Sequence, residues 1–225
     1  MALALSYSRG SPSRFPIDMK QQIVELENRN AELERTNRRL KVEFERAQRL
    51  ALLDPLTGLG NRRYFDSVVP SELQRAARTG KPLTLFICDV DYFKHFNDSH
   101  GHDVGDALLI EVANVLRTFC RRGGDLAIRY AGDEFALLLP DVPRHMAVRF
   151  AYNLRIAVQA ISVVHRNRRI TERATLSIGG AVFRDAEPCT AANLATVADR
   201  ALYRAKGAGR NRSVLALCRG SAVKA

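Results

Sequence analysis

Acidic side chains close an otherwise apolar stretch at residues 83 to 91, where Asp89 and Asp91 end the run LTLFICDVD. A segment suited to burial should not finish in carboxylates without a reason, because an unpaired buried charge is costly. A second acidic pair, Asp133 and Glu134, follows Ala131 and Gly132 at the tip of what reads as a hairpin. One carboxylate cluster at a strand end and another on an adjacent turn make the donor set of a magnesium site, since Mg²⁺ takes hard oxygen ligands and keeps substrate phosphates in its shell. Singly, each cluster also reads as a polar loop.

The elements that must position these groups can be placed from periodicity. Residues 83–90 form a short β-rich run, and 103–121 carry helical spacing in Leu108, Leu109, Val112 and Leu116. DLAIRY (125–130) and EFALLLP (134–140) are strand-like runs separated by Ala131, Gly132 and Asp133, a hairpin signal. A helix through about 144–160, a strand in 174–183, a helix over 191–208 and a last strand near 213–217 complete a mixed α/β pattern with a largely antiparallel sheet.

Upstream the composition differs. Residues 1–17 carry Ser, Arg, Gly and Pro and read as a disordered tail. Residues 18–52 read as a coiled-coil stalk. Its a positions are Ile23, Asn30, Asn37, Phe44 and Ala51, and its d positions are Leu26, Leu33, Leu40 and Ala47. Such a narrow stripe is buried by pairing with a second helix, and the a-position Asn residues favour an in-register parallel dimer, with Arg29 facing Glu34 across the interface. The competing reading is an amphipathic helix packed on its own domain. The folded domain is expected over 53–218, with a short tail at 219–225.

The composition, 46% hydrophobic, is that of a globular protein, and no apolar run approaches the roughly 18 residues of a membrane span. Cys88, Cys120, Cys189 and Cys218 lie far apart without a CxxC pair, so the chain is expected to be reduced and cytoplasmic. The net charge of +11 invites a nucleic-acid reading, yet the basic residues are dispersed and no nucleic-acid-binding motif accompanies them. A phosphate-rich small ligand, or simply a solvated surface, accounts for the excess.

Between the two acidic clusters runs DVDYFKHFNDSHGHDVGDALL, at 89–109. This stretch resembles the GGDEF family of diguanylate cyclases, as do DPLTGLGNRRYF (54–65), RYAGDEF (129–135) and ADRALYRAKGAGRNR (198–212). Four signatures in the family's order make the resemblance specific. It implies an α/β (α+β) fold of the nucleotidyl-cyclase or polymerase-palm type, and condensation of two GTP into cyclic di-GMP with Mg²⁺ or Mn²⁺. It also implies roles by position: Asp89, the Val90 carbonyl and Asp133 at the metal, with Glu134 beside them, and Lys94 stabilising transition-state charge. Asn97 and Asp106 would read guanine, His102 would touch substrate, Lys206 and Arg210 would hold the β and γ phosphates, and amides around Tyr92 and Phe93 would add donors. Arg122 and Asp125, in RGGD, match an inhibitory RxxD product site, although RRGG also reads as a helix stop.

One departure stands out, because Ala131 occupies the first glycine of the motif. Glycine there would serve a positive φ or close ligand approach, so alanine raises the question of a cost of about 1 kcal/mol or of crowding. Retained activity is nevertheless expected. The alternatives are a degenerate cyclic di-GMP receptor and a dimeric regulatory partner of another cyclase. With no room for a sensor upstream of the stalk, control is expected from a protein docking on the stalk, from self-association or from product.

Overall fold

The computed structural model describes residues 15–165, 168–170, 173–184 and 189–218. The expected tail at 219–225 lies outside them, as does most of the one at 1–17. The chain divides into two units at Ala51/Leu52.

The first unit is one helix, α1 (Phe15–Leu50), beginning three residues before the expected Asp18. Its seam residues Ile23, Leu26, Leu33 and Leu40 are 50–65% exposed on the single chain. Glu34 pairs along the helix with Arg38 at 3.9 Å, and Arg39 with Glu43 at 3.0 Å.

The second unit runs α2 (Arg62–Thr79), β1 (Leu83–Val90), α3 (Phe93–His100), α4 (His102–Phe119), β2 (Leu126–Ala131), β3 (Glu134–Pro140), α5 (Arg144–Gln159), β4 (Val163–His165), β5 (Arg168–Ile170), β6 (Leu176–Phe183), α6 (Ala191–Gly207) and β7 (Ser213–Cys218). The five-stranded sheet is ordered β2-β3-β1-β6-β7, with every pairing antiparallel except β6 with β7. This is the mixed α/β architecture expected, a sheet flanked by helices.

Why the central strands read as unbroken apolar runs follows from their position. β1 sends Phe86, Cys88 and Val90 to a core shared with α4 and α5, and Leu83, Leu85 and Ile87 to one shared with α2 and α6. A strand covered on both faces has no polar side. α6 lies so close on β6 that a Cβ at Gly179 would stand 2.2 Å from the Ala198 carbonyl oxygen and the Leu202 nitrogen. That contact fixes how α6 delivers its C-terminal end to the edge where β1 finishes.

Two features have no counterpart in the sequence signals. α2 contains Pro70 in its interior, which interrupts a periodic pattern, and the β4–β5 hairpin has strands of only three residues.

Candidate active site

The alternation that turns Leu83, Leu85 and Ile87 toward α6 carries Asp89 the same way, and there the Lys206 ammonium donates to Asp89 Oδ2 at 2.6 Å. Antiparallel pairing sets Asp89 opposite Glu134, while the Val90 amide donates to the Asp133 carbonyl at 3.3 Å. Burial pushes the Asp89 carboxyl up, Lys206 opposes this, and the charges of Asp133 and Asp91 add to it. Glu134 is raised by burial and then by Asp89, with Lys206 again opposing and Asp133 adding. The acidic groups of the two segments therefore feel one another, and a cation between them relieves the repulsion.

Among the described residues no group of three or more His, Cys, Asp or Glu forms a cage for a metal ion. Two carboxylates and a main-chain carbonyl nevertheless suit Mg²⁺, which is ordinarily held by one or two carboxylates and completes its shell from phosphate and water.

Asp91 belongs elsewhere. It is 7% exposed and accepts hydrogen bonds from Thr175 Oγ1 and Ser177 Oγ, each at 2.6 Å, and from the Asn211 amide at 3.0 Å. The second strand-end carboxylate is thus a satisfied internal acceptor that ties the α6–β7 loop to β6. The same loop is gripped from α5, where Arg155 Nη1 donates to Asn211 Oδ1 at 2.6 Å and to the Asn211 carbonyl.

These anchors hold Arg210 and Asn211 in left-handed backbone, φ 59° and 45°. Arg210 lies over the Tyr92 ring, 4.6 Å to its centre, with Nη1 3.4 Å from the Tyr92 hydroxyl. Tyr92 is itself left-handed at φ 58° and starts α3 without a side-chain cap, so the first amides of that helix, from Phe93 onward, are available to an anion.

On the other side of α3, Asn97 Oδ1 is buried with no hydrogen-bond partner among the described residues. A Cβ at Gly105 of α4 would stand 1.7 Å from that oxygen, so this glycine makes room for the amide. Lys94 on α3, and His102 and Asp106 on the first turns of α4, are exposed around the same corner.

The turn between β2 and β3 is Gly132–Asp133, tighter than the three-residue connection expected, with Ala131 the last residue of β2. The positive φ is at Gly132, 43°, and Ala131 is exposed in ordinary backbone, so alanine there carries no conformational cost. A bulge at Tyr130 shifts the register just before the turn.

Arg129, which sequence reasoning left without a role, braces this turn. Its Nε donates to the Gly132 carbonyl at 2.8 Å and its Nη1 reaches Asp54 Oδ1 and Oδ2 at 3.2 and 3.3 Å. Asp54 also accepts from the Thr57 amide at 2.8 Å and hydroxyl at 2.7 Å. Burial opposes its ionisation, but the Thr57 bonds and Arg129 outweigh burial and hold the carboxyl below its usual range. Both residues sit in the motifs quoted above, and nothing in their local spacing announces that they meet.

Arg122 and Asp125 occupy the turn between α4 and β2. The Arg122 amide donates to Asp125 Oδ2, and the Asp125 amide to the Arg122 carbonyl, both at 3.0 Å, while Gly124 has φ 105°. β2 separates them from Ala131 by six residues, roughly 20 Å of strand, so this turn lies apart from the carboxylates.

Residues 51–212 match the family model for diguanylate cyclase, GGDEF domain. The chain belongs to the GGDEF family. It is 37% identical over 172 residues to the response regulator PleD of Caulobacter vibrioides, covering 76% of this chain and 37% of the relative. To the diguanylate cyclase DgcM of Escherichia coli it is 39% identical over 180 residues, 80% and 41% of the two chains. The chain thus spans about two fifths of the length of these relatives. Among solved structures, the coiled coil and GGDEF domain of DgcB from Caulobacter crescentus, in complex with c-di-GMP, superposes with a TM-score of 0.78 at 31% identity, covering 85% of this chain and 99% of that one. The diguanylate cyclase SiaD of Pseudomonas aeruginosa, in complex with its activator SiaC, gives 0.70 at 32% identity, covering 88% and 75%. Among the described residues, no helix of this GGDEF protein is long and apolar enough to cross a membrane.

Proposed function

We propose that this chain is a diguanylate cyclase that condenses two GTP into cyclic di-GMP and releases pyrophosphate. The observation carrying the reading is the meeting of Asp89, at the end of β1, with the Asp133–Glu134 turn across one rung of the sheet. Asp89, the Val90 carbonyl and Asp133, with Glu134 beside them, would hold a divalent cation, which would supply charge neutralisation at the phosphates and lower the pKa of the attacking 3′-hydroxyl.

The chain's own residues do the positioning. Asn97 and Asp106 face the guanine edge, where a carboxylate accepts from N1 and N2 and the amide meets the remaining polar atom, with His102 alongside. Arg210, Lys206 and the first amides of α3 at Tyr92 and Phe93 take the β and γ phosphates. Lys206, paired with Asp89 at 2.6 Å, places its ammonium where it would meet both that carboxylate and the phosphates. Lys94 balances charge developing on the α-phosphate.

One domain holds one GTP, so two must face each other for the 3′-hydroxyl of one nucleotide to reach the α-phosphate of the other. The exposed seam of α1 supplies the homodimer that raises the local concentration of the second domain. Arg122 and Asp125 form the inhibitory product site, and an activator protein docks on the stalk, a reading supported by SiaD having been solved in complex with an activator, SiaC. The ordinary backbone of Ala131 favours turnover over a receptor that binds without reacting.

Incubating the protein with GTP and Mg²⁺ and separating the nucleotides tests the reading. Cyclic di-GMP is expected from the native chain and none from Asp133→Ala; GTP bound without turnover overturns the enzyme in favour of the receptor.

A further inference from the structure

Four cysteines that stand far apart in the chain do not stay apart in the fold. Cys189, next to the Thr190 N-cap of α6, has its Sγ 2.7 Å from that of Cys218, the last residue of β7, and both are free thiols. Cys189 is partly exposed, whereas Cys218 is 3% exposed, so reagents reach the pair through Cys189.

The surroundings differentiate the two sulfurs. The hydrogen bond with Cys218 holds the Cys189 thiol below its usual range against burial. The hydrogen bond to Cys189 and burial push Cys218 up. A cysteine beside a helix N-terminus lies in surroundings that favour thiolate. Cys88 and Cys120 contrast with it, because burial pushes both thiols up, Cys120 to about 12.

We propose that Cys189 and Cys218 are a redox-active dithiol that closes to a disulfide on reaction with a low-molecular-weight disulfide. Cys189 gives up its proton and attacks one sulfur of the reagent, forming a mixed disulfide and expelling a thiolate that takes up a proton. Cys218 then loses its proton and attacks Cys189 Sγ, breaking the mixed disulfide and releasing the second thiolate, which is protonated in turn. Two protein thiols are oxidised and one reagent disulfide is reduced to two thiols.

The bond staples the start of α6 to the end of β7 at the edge of the sheet away from Asp89, since Cys218 pairs with Phe183 while Asp89 pairs with Ser177 near the other end of β6. Lys206 and Arg210 lie inside the closed loop.

The test does not depend on cyclase activity. The full chain is equilibrated with oxidised glutathione, denatured and its thiols counted; two of the four are expected to be lost. Mass mapping should find the peptides of Cys189 and Cys218 joined and lighter by two hydrogens, with a melting midpoint several degrees above the dithiothreitol-reduced sample. Cys189→Ser should remove both effects. Retention of all four thiols, a glutathione adduct on Cys189 that never resolves, or a linkage to a second chain overturns the proposal.

Discussion

Glu134 faces Asp89 across the sheet, and both carboxyls are raised by burial, Asp89 further by Asp133 and Asp91 and Glu134 further by Asp89, so as anions they cost the fold stability. For an acid whose folded pKa is raised, that cost is present at neutral pH and disappears as pH falls through the folded value. Glu134→Gln is therefore expected to raise the cation-free melting midpoint by a few degrees while lowering cyclic di-GMP synthesis at least 100-fold, read by calorimetry and nucleotide chromatography. The midpoint gain should shrink at acidic pH, where Glu134 is already neutral. At the proposed guanine site, Gly105→Ala displaces the Asn97 amide and is expected to weaken GTP binding roughly 10-fold or more, about 1–3 kcal/mol, measured as KM or Kd. The meeting of Asp89 with the Asp133–Glu134 turn was legible because charge at the end of an apolar run, and again at a hairpin tip, is anomalous locally. Asp91 looked identical, and its role was not legible, since the partners that satisfy it stand 84, 86 and 120 residues away.

Between elements, Arg129 joins the turn that carries Asp133 to the segment that opens the domain, through Asp54. Asp54→Asn is expected to lower kcat several-fold with little change in KM, because the turn loses its brace while the groups proposed to hold phosphate and guanine are untouched. Since the Asp54 carboxyl is depressed in the fold, the stability that it contributes is present above the usual carboxylate range and is lost as pH falls through the lower folded value. Acid titration of the melting midpoint, compared between native and Asp54→Asn chains, reads this directly. The strands and long helices of the sheet followed from periodicity, as in β1, where the apolar run 83–90 is the strand itself. α2 did not, because Pro70 breaks its pattern and tertiary contacts of Phe65, Val69, Leu73 and Ala76 hold it in place of propensity.

For the molecule as a whole, the proposed cyclase needs two copies, and α1 is the part proposed to bring them together. Residues 52–225 carry their own core, so the truncated protein should stay folded yet show specific activity that rises with protein concentration, whereas the full chain should not. Sedimentation and initial rates over a 100-fold dilution series check both. An unchanged, concentration-independent rate after truncation overturns the role given to the stalk.

The rung that joins Asp89 to Glu134 has one more implication. Side chains alternate along a strand, so a slip of β1 against β3 by a single residue turns one carboxylate to the opposite face. In the proposed cyclase, synthesis of the messenger therefore depends on correct strand register, because a mispaired chain would have its carboxylates on opposite faces and make no product.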